Sequence, residues 1–233
     1  MSRDTDTGVL FDVDGTLVDT TYLHTVCWAE ALRGAGHTVP MSHVHHAIGM
    51  GTDELLEHLL GPDRDTDDDQ QIATSRLALY RQYWGRLTPL PGATELLGES
   101  ARRGHRAVLA SSASSDELAA LRAALDADDV IHTATSSSDA EAGKPSPSVL
   151  EAALDQSSLS PDRVVFIGDA VWDGLASQKA GVPFVAVTCG GTSASDLREA
   201  GAVEVWRDPA ELLDAIDDSL LGRLSGFEKS RTG

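Results

Sequence analysis

Apolar positions along the chain follow two rhythms. Short continuous apolar runs, residues 106–110 (Arg-Ala-Val-Leu-Ala), 164–167 (Val-Val-Phe-Ile) and 183–187 (Pro-Phe-Val-Ala-Val), alternate with stretches where apolar residues recur at helical spacing. The runs suit strands buried on both faces, and the periodic stretches suit the helices that cover them. Val9, Leu10 and Phe11 read as a further buried parallel strand. Beyond Pro89 and Pro91-Gly92 the expected order is helix 93–103, strand 106–110, helix 115–125, a weaker strand 129–134, helix 146–155 and strand 164–167. Helix 172–180, strand 183–187, helix 194–200, a short strand 203–205 and helix 209–220 complete it.

The stretch between the first strand and Pro89 breaks this alternation. Leu23, Val26, Cys27 and Ala31 mark a helix over 20–35 closed by Gly34 and Gly36. A second helical run, 42–60, is interrupted near Gly49 and Gly51 and stopped by Gly61-Pro62, and a third spans about 66–87. Three successive helices without a strand do not fit βα alternation, so they predict an inserted helical domain. The expected fold is α/β, a three-layer Rossmann-like parallel sheet, with residues 1–18 and 89–222 as core, 19–88 as the insertion and 223–233 as a flexible polar tail.

The chain of 233 residues is long enough for that core and a smaller second domain. Lysine and arginine number 18 against 37 acids, a formal charge of -19 that argues against nucleic-acid or anionic-membrane partners. Cys27 and Cys189 lie far apart, without metal-ligand spacing, and suggest free thiols in a reducing compartment. The start, Met-Ser-Arg-Asp-Thr-Asp-Thr, lacks the apolar run of a signal peptide, and no stretch is long enough to span a membrane, so a cytoplasmic protein is expected. No feature specifies an oligomeric state.

Candidate chemistry falls at four places where a strand meets a polar loop. Asp12 and Asp14, at i and i+2 of an extended segment, face the same way at the strand's carboxyl end, where two carboxylates repel unless a cation or a shared proton holds them. A magnesium site is the economical answer, and a plain acidic turn the bland one. Ser111-Ser112-Ala113-Ser114-Ser115 runs into a helix start, which favours an anion or simply supplies an N-cap. Lys144, one of three lysines in an arginine-using chain, sits between Gly143 and Pro145, as a directed point charge or a solvated loop lysine. Asp169 ends another strand, and Asp173 follows one helical turn on, to cap the helix or to join the carboxylates. In a parallel sheet all four loops emerge at one edge. Together they suit a magnesium-bound phosphoryl group.

The order and spacing of these loops resemble the haloacid dehalogenase-like hydrolase superfamily, through Asp12-Val13-Asp14-Gly15-Thr16, the serines after strand 106–110, Lys144-Pro145 and Gly168-Asp169 with Asp173. The resemblance covers residues 8–220 and makes the insertion a cap. It implies Asp12 as the nucleophile that forms an aspartyl-phosphate and Asp14 as the acid and base. Ser111, Ser112 and Lys144 would bind the phosphoryl group. Mg2+ would be held by Asp12, the Asp14 backbone carbonyl and Asp169, with Asp173 orienting that set.

Asp19 to Trp28 is similar to the opening of the cap in the branch holding phosphoglycolate phosphatases and β-phosphoglucomutases. His24 falls where the mutases place a cap histidine, and reads equally as a substrate-side residue or a polar position on the first cap helix. The cap-start stretch Gly49-Met50-Gly51-Thr52-Asp53-Glu54 has no arginine, and none lies between Arg33 and Arg64, which disfavours a mutase. No lysine precedes Lys144, against Schiff-base phosphonate chemistry, and Asp14 argues for phosphate rather than dehalogenation. The histidines at 43, 45 and 46 read as a solvated helix start rather than a second metal site. The expected activity is a magnesium-dependent phosphomonoester hydrolase acting on a small phosphorylated metabolite. A sugar-phosphate mutase or phosphotransferase of the same fold, and a non-catalytic phosphate-binding regulator, are the alternatives.

Overall fold

The computed structural model describes residues 6–224. Six strands, β1 (Gly8–Phe11), β2 (Arg106–Ala110), β3 (Ile131–Thr135), β4 (Val164–Gly168), β5 (Phe184–Val187) and β6 (Ala202–Trp206), form one sheet in the order β3-β2-β1-β4-β5-β6. Every neighbouring pair is parallel. Alternate side chains of a strand point to opposite faces, so β1 sends Val9 and Phe11 into one apolar cluster and Leu10 into another. The first cluster takes α5 (Ala93–Arg102), α6 (Ser115–Leu125), α10 (Pro209–Asp214) and α11 (Leu220–Leu224). The second takes α7 (Ser148–Ser157), α8 (Val171–Ala180) and α9 (Ala194–Glu199). This is the expected three-layer α/β architecture.

Between β1 and β2 lie α1 (Thr21–Gly34), α2 (Met41–Ala47), α3 (Thr52–Leu60), α4 (Asp69–Tyr80) and a 3-10 turn, Arg81–Arg86. Trp28, Leu32, Val44, Leu55, Leu56 and Ile72 form a separate apolar cluster among these helices. The chain leaves the sheet and returns to it side by side, with Asp19 N donating to Thr88 O at 3.1 Å and Leu90 N to Leu17 O at 2.8 Å.

Two elements differ from the sequence expectation. The third helix of the insertion begins later, at Asp69, because Asp65 to Asp68 is acidic and carries no apolar stripe. The last helix, expected over 209–220, is three pieces. Ser219 stops it by donating its hydroxyl to Ile216 O (2.7 Å) and then receiving Gly222 N, so α11 starts anew and buries Leu221 and Leu224. Of the tail expected over 223–233, Arg223 and Leu224 complete α11, and the rest lies outside the described residues. Among the described residues no helix is long and apolar enough to cross a membrane.

Candidate active site

Strand order reverses about β1, which lies between β2 and β4, and open α/β sheets bind ligands outside the carboxyl ends at such a point. Asp12 N donates to Ile167 O at 2.8 Å, carrying the β1–β4 pairing one residue further and placing Asp12 on the rim beside Gly168 and Asp169. Gly15, with φ of +80°, turns the chain back, and a Cβ there would lie 2.6 Å from Asp169 Oδ2.

Lys144, from the segment between β3 and α7, is wholly buried, with Nζ 2.5 Å from Asp12 Oδ1 and 2.8 Å from Asp173 Oδ1. Asp173 lies in the first turn of α8, and its Oδ2 accepts the backbone N–H groups of Asp169 (3.1 Å) and Ala170 (3.0 Å). It thus caps its helix and holds Lys144 at once. The Thr16 hydroxyl donates to Asp169 Oδ1 at 2.9 Å. Asp14 is turned toward the insertion: its Oδ1 accepts the Thr20 hydroxyl at 2.7 Å and lies 2.9 Å from His24 Nε2. His24 in turn packs on the Tyr80 ring, centroids 4.1 Å apart.

Three buried carboxylates, Asp12, Asp169 and Asp173, surround one ammonium here while Asp14 faces His24, and the titration behaviour follows. Burial pushes the Asp12 carboxyl up to about 7 against the pull of Lys144. Burial, with Asp12 and Asp173 as like charges, holds Asp169 well above the ordinary carboxyl range. Burial alone would lower Lys144, but Asp12 and Asp173 outweigh it and hold the ammonium above its ordinary value. Burial would raise Asp14, yet His24, Thr20 and Arg76 together bring it below the ordinary value.

Carboxylate oxygens of Asp12, Asp169 and Asp173 lie within 4.8 Å of one another, an all-oxygen donor set of the kind a hard divalent cation takes. The backbone leaves room for the Asp169 carboxylate, since a Cβ at Gly190 would stand 1.6 Å from its Oδ2. These residues fit a magnesium ion: the acids repel one another without it, and Lys144 alone does not balance them.

Asp12, Lys144, Asp169 and Asp173 are therefore in one connected group, and Asp14 and Ser112 share a cavity of about 60 Å³ with Asp12. Ser111 is buried after β2, its Oγ accepting Ala113 N at 3.0 Å, and it does not line that cavity. His24 lies on the cavity wall and contacts Asp14. Of the histidine stretch expected as a solvated helix start, His43 and His46 are exposed, whereas His45 is half-buried. His45 stacks on Tyr22 and its Nε2 is 3.1 Å from Gly190 O, while Trp172 donates to His46 O at 2.7 Å, so α2 docks against the loops after β4 and β5.

Sequence reasoning placed Thr16 in the first motif without giving it a role, and missed Thr20, Arg76 and Glu117. Arg76 carried a readable signal: it sits at the i+4 position between Ile72 and Tyr80, all three buried on one face of α4, where a solvated arginine does not belong.

The sheet, its acidic rim and the buried lysine define a hydrolase working at the carboxyl edge of a parallel sheet. The chain belongs to the haloacid dehalogenase-like hydrolases, whose family description matches residues 7–181, and falls among their phosphatases. It is 30% identical over 217 residues to the phosphoglycolate phosphatase of Rhodospirillum rubrum, covering 88% of this chain and 89% of that one. A hydrolase from Pseudomonas syringae superposes with a TM-score of 0.83 at 30% identity, covering 91% of this chain and 99% of that one. A putative β-phosphoglucomutase from Bacteroides vulgatus, at 19% identity, shares the fold with a TM-score of 0.83 and coverage of 94% and 90%.

Proposed function

We propose that the chain is a cytoplasmic, magnesium-dependent phosphomonoester hydrolase that acts on a small phosphorylated metabolite through an aspartyl-phosphate. The observation that carries this reading is the buried contact of Lys144 with Asp12 beside Asp169. An ammonium held there steadies an ionised nucleophile that burial alone would protonate.

In the first half-reaction a carboxylate oxygen of Asp12 bonds to phosphorus, the ester P–O bond breaks, and Asp14 gives a proton to the departing oxygen. In the second, Asp14 takes a proton from water, the water oxygen bonds to phosphorus, and the acyl-phosphate P–O bond breaks to return the Asp12 carboxylate and inorganic phosphate. Ionised Asp14, held so by His24 and Thr20, is the form the second half needs. Bound magnesium supplies charge neutralisation at the phosphoryl oxygens; Asp12, the Asp14 carbonyl and Asp169 would hold it, with Asp173 fixing the Asp169 backbone. Ser111, Ser112 and Lys144 are the phosphoryl-binding groups. Residues 19–88 act as a cap on the core of 1–18 and 89–222, excluding bulk water while the ester bond breaks and admitting the one water that then hydrolyses the acyl-phosphate.

The test is turnover of an aryl phosphate with and without magnesium. Wild-type protein requires the ion and Asp12→Asn abolishes turnover; full activity in that variant refutes the nucleophile. Isomerisation of a hexose 1-phosphate in place of phosphate release would assign a mutase instead.

A further inference from the structure

The main chain that carries Lys144 is held from the insertion as well as from the core. Gly143 N–H donates to Glu54 Oε1 at 2.9 Å, and Lys144 C=O accepts Gly51 N–H at 3.2 Å. Gly51 immediately precedes α3, and Glu54 lies in its first turn. The two backbone groups that bracket the Gly143–Lys144 pair therefore both find their partners in the insertion. Backbone meets backbone here without space for a side chain: a Cβ at Gly143 would stand 2.3 Å from Gly51 Cα, and one at Gly51 would stand 2.7 Å from Gly143 Cα.

The start of α3 is fixed to the body of the insertion, because Leu55 and Leu56, next to Glu54, are buried in its separate apolar cluster. Glu54 goes where that body goes. The lysine segment has less support of its own, since residues 140–147 form neither helix nor strand. On the core side Lys179 of α8 donates to Pro145 O at 2.8 Å, an exposed hydrogen bond of small net worth. The other core anchors are the contacts of Lys144 Nζ with Asp12 and Asp173. Those contacts are shared once phosphoryl oxygens also compete for the ammonium, so the backbone then has to fix where the lysine points. A carboxylate that accepts a backbone N–H makes a charge-assisted bond, the strongest main-chain tie this segment has.

We propose that Glu54 is a positioning residue: acting through Gly143, it sets the place of Lys144, so that the core completes its anion-binding group only when the insertion is seated on it. This rests on the phosphatase reading and links the docking of the insertion to the chemistry of the core.

The experiment reads two quantities in full-length variants. One is the rate at which N-hydroxysuccinimidyl acetate acylates Lys144, followed by peptide mass; the other is kcat for an aryl phosphate with magnesium. Wild-type Lys144, wholly buried, reacts slowly. Glu54→Ala raises the acylation rate and lowers kcat, each by roughly 10- to 100-fold, the range of a hydrogen bond to a charged group. Glu54→Gln keeps an oxygen acceptor and returns both to within about 5-fold of wild type. Gly51→Ala, at a φ of -64° and ψ of 162° that suit alanine, pushes a methyl group toward Gly143 and reproduces the Glu54→Ala pattern; it serves if that variant does not fold. Asp53→Ala removes the exposed acid beside Glu54 and moves neither quantity. Unchanged acylation or unchanged kcat in the Glu54→Ala and Gly51→Ala variants overturns the proposal. So does a glutamine variant as impaired as the alanine one, or an equal loss in Asp53→Ala, because either makes the effect one of helix stability. Acylation needs no turnover, so a wild type inactive on every phosphomonoester with magnesium would remove the phosphatase reading while the acylation series still decides what holds Lys144.

Discussion

The buried acids of the site give the cation-free protein a stability that depends on pH. Asp12 rises from an ordinary 3.8 to about 7 on folding, mainly through burial, and Asp169 moves the same way. Below about pH 4 both folded and unfolded chains carry these protons. Between about 4 and 7 the unfolded chain has released its proton from Asp12 while the folded chain keeps it, so stability falls as pH rises through that window and levels off above it. For Asp12 alone the rise corresponds to a loss on the order of 4 kcal/mol. A cation that binds the folded state at a hundred times its Kd returns about 2.7 kcal/mol, which for a chain of this size is roughly 5–11 °C in Tm. Thermal melts from pH 5 to pH 8 in chelator should therefore slope downward, and millimolar magnesium should lift the upper end most. Asp12→Asn, which has no proton to lose, should melt higher than wild type in chelator at pH 8 and respond less to magnesium. Parallel melts with and without the ion, or a chelated protein that gains stability as pH rises, would refute the placement of the charges.

Further outcomes follow from single contacts. Gly190→Ala puts a methyl group where the Asp169 carboxylate lies, and kcat measured at saturating magnesium should fall by about 100-fold or more, as expected for a displaced positioning group. Lys144→Met leaves Asp12 and Asp173 buried without their cation, and urea melts should show a loss of about 3–5 kcal/mol. His24→Leu removes a partner that lowers the Asp14 pKa, so the acidic limb of the pH profile of kcat should move upward, with little change expected if Asp14 is not the base.

Much of the fold and part of the site were legible in the chain. Continuous apolar runs in β1, β2, β4 and β5 identified strands buried on both faces, and glycines at 34, 36, 49, 51 and 61 bounded the helices of the insertion. Asp12, Asp14, Lys144, Asp169 and Asp173 were readable because loops at the carboxyl edge of a parallel sheet share one rim whatever their separation in sequence. Arg76 was not read, although it stands on the buried stripe of α4, because its partner Glu117 lies on another helix in the core and only tertiary packing brings them together. Thr20, and the role of Thr16 within its motif, were hidden for a similar reason: one hydroxyl among many gains meaning only when its acceptor, Asp14 or Asp169, is known. The break in the final helix depended on Ser219 turning its hydroxyl back on the chain, a local competition that periodicity does not register.

The two backbone hydrogen bonds that tie Asp19 to Thr88 and Leu90 to Leu17 have an evolutionary reach beyond holding the chain together. Because entry and exit sit next to each other, everything between them can be lengthened, shortened or exchanged like an attachment on a socket, with the sheet unaware of the change. Lineages built on this plan can therefore remodel what they recognise while the machinery that cuts the phosphate bond stays as it was.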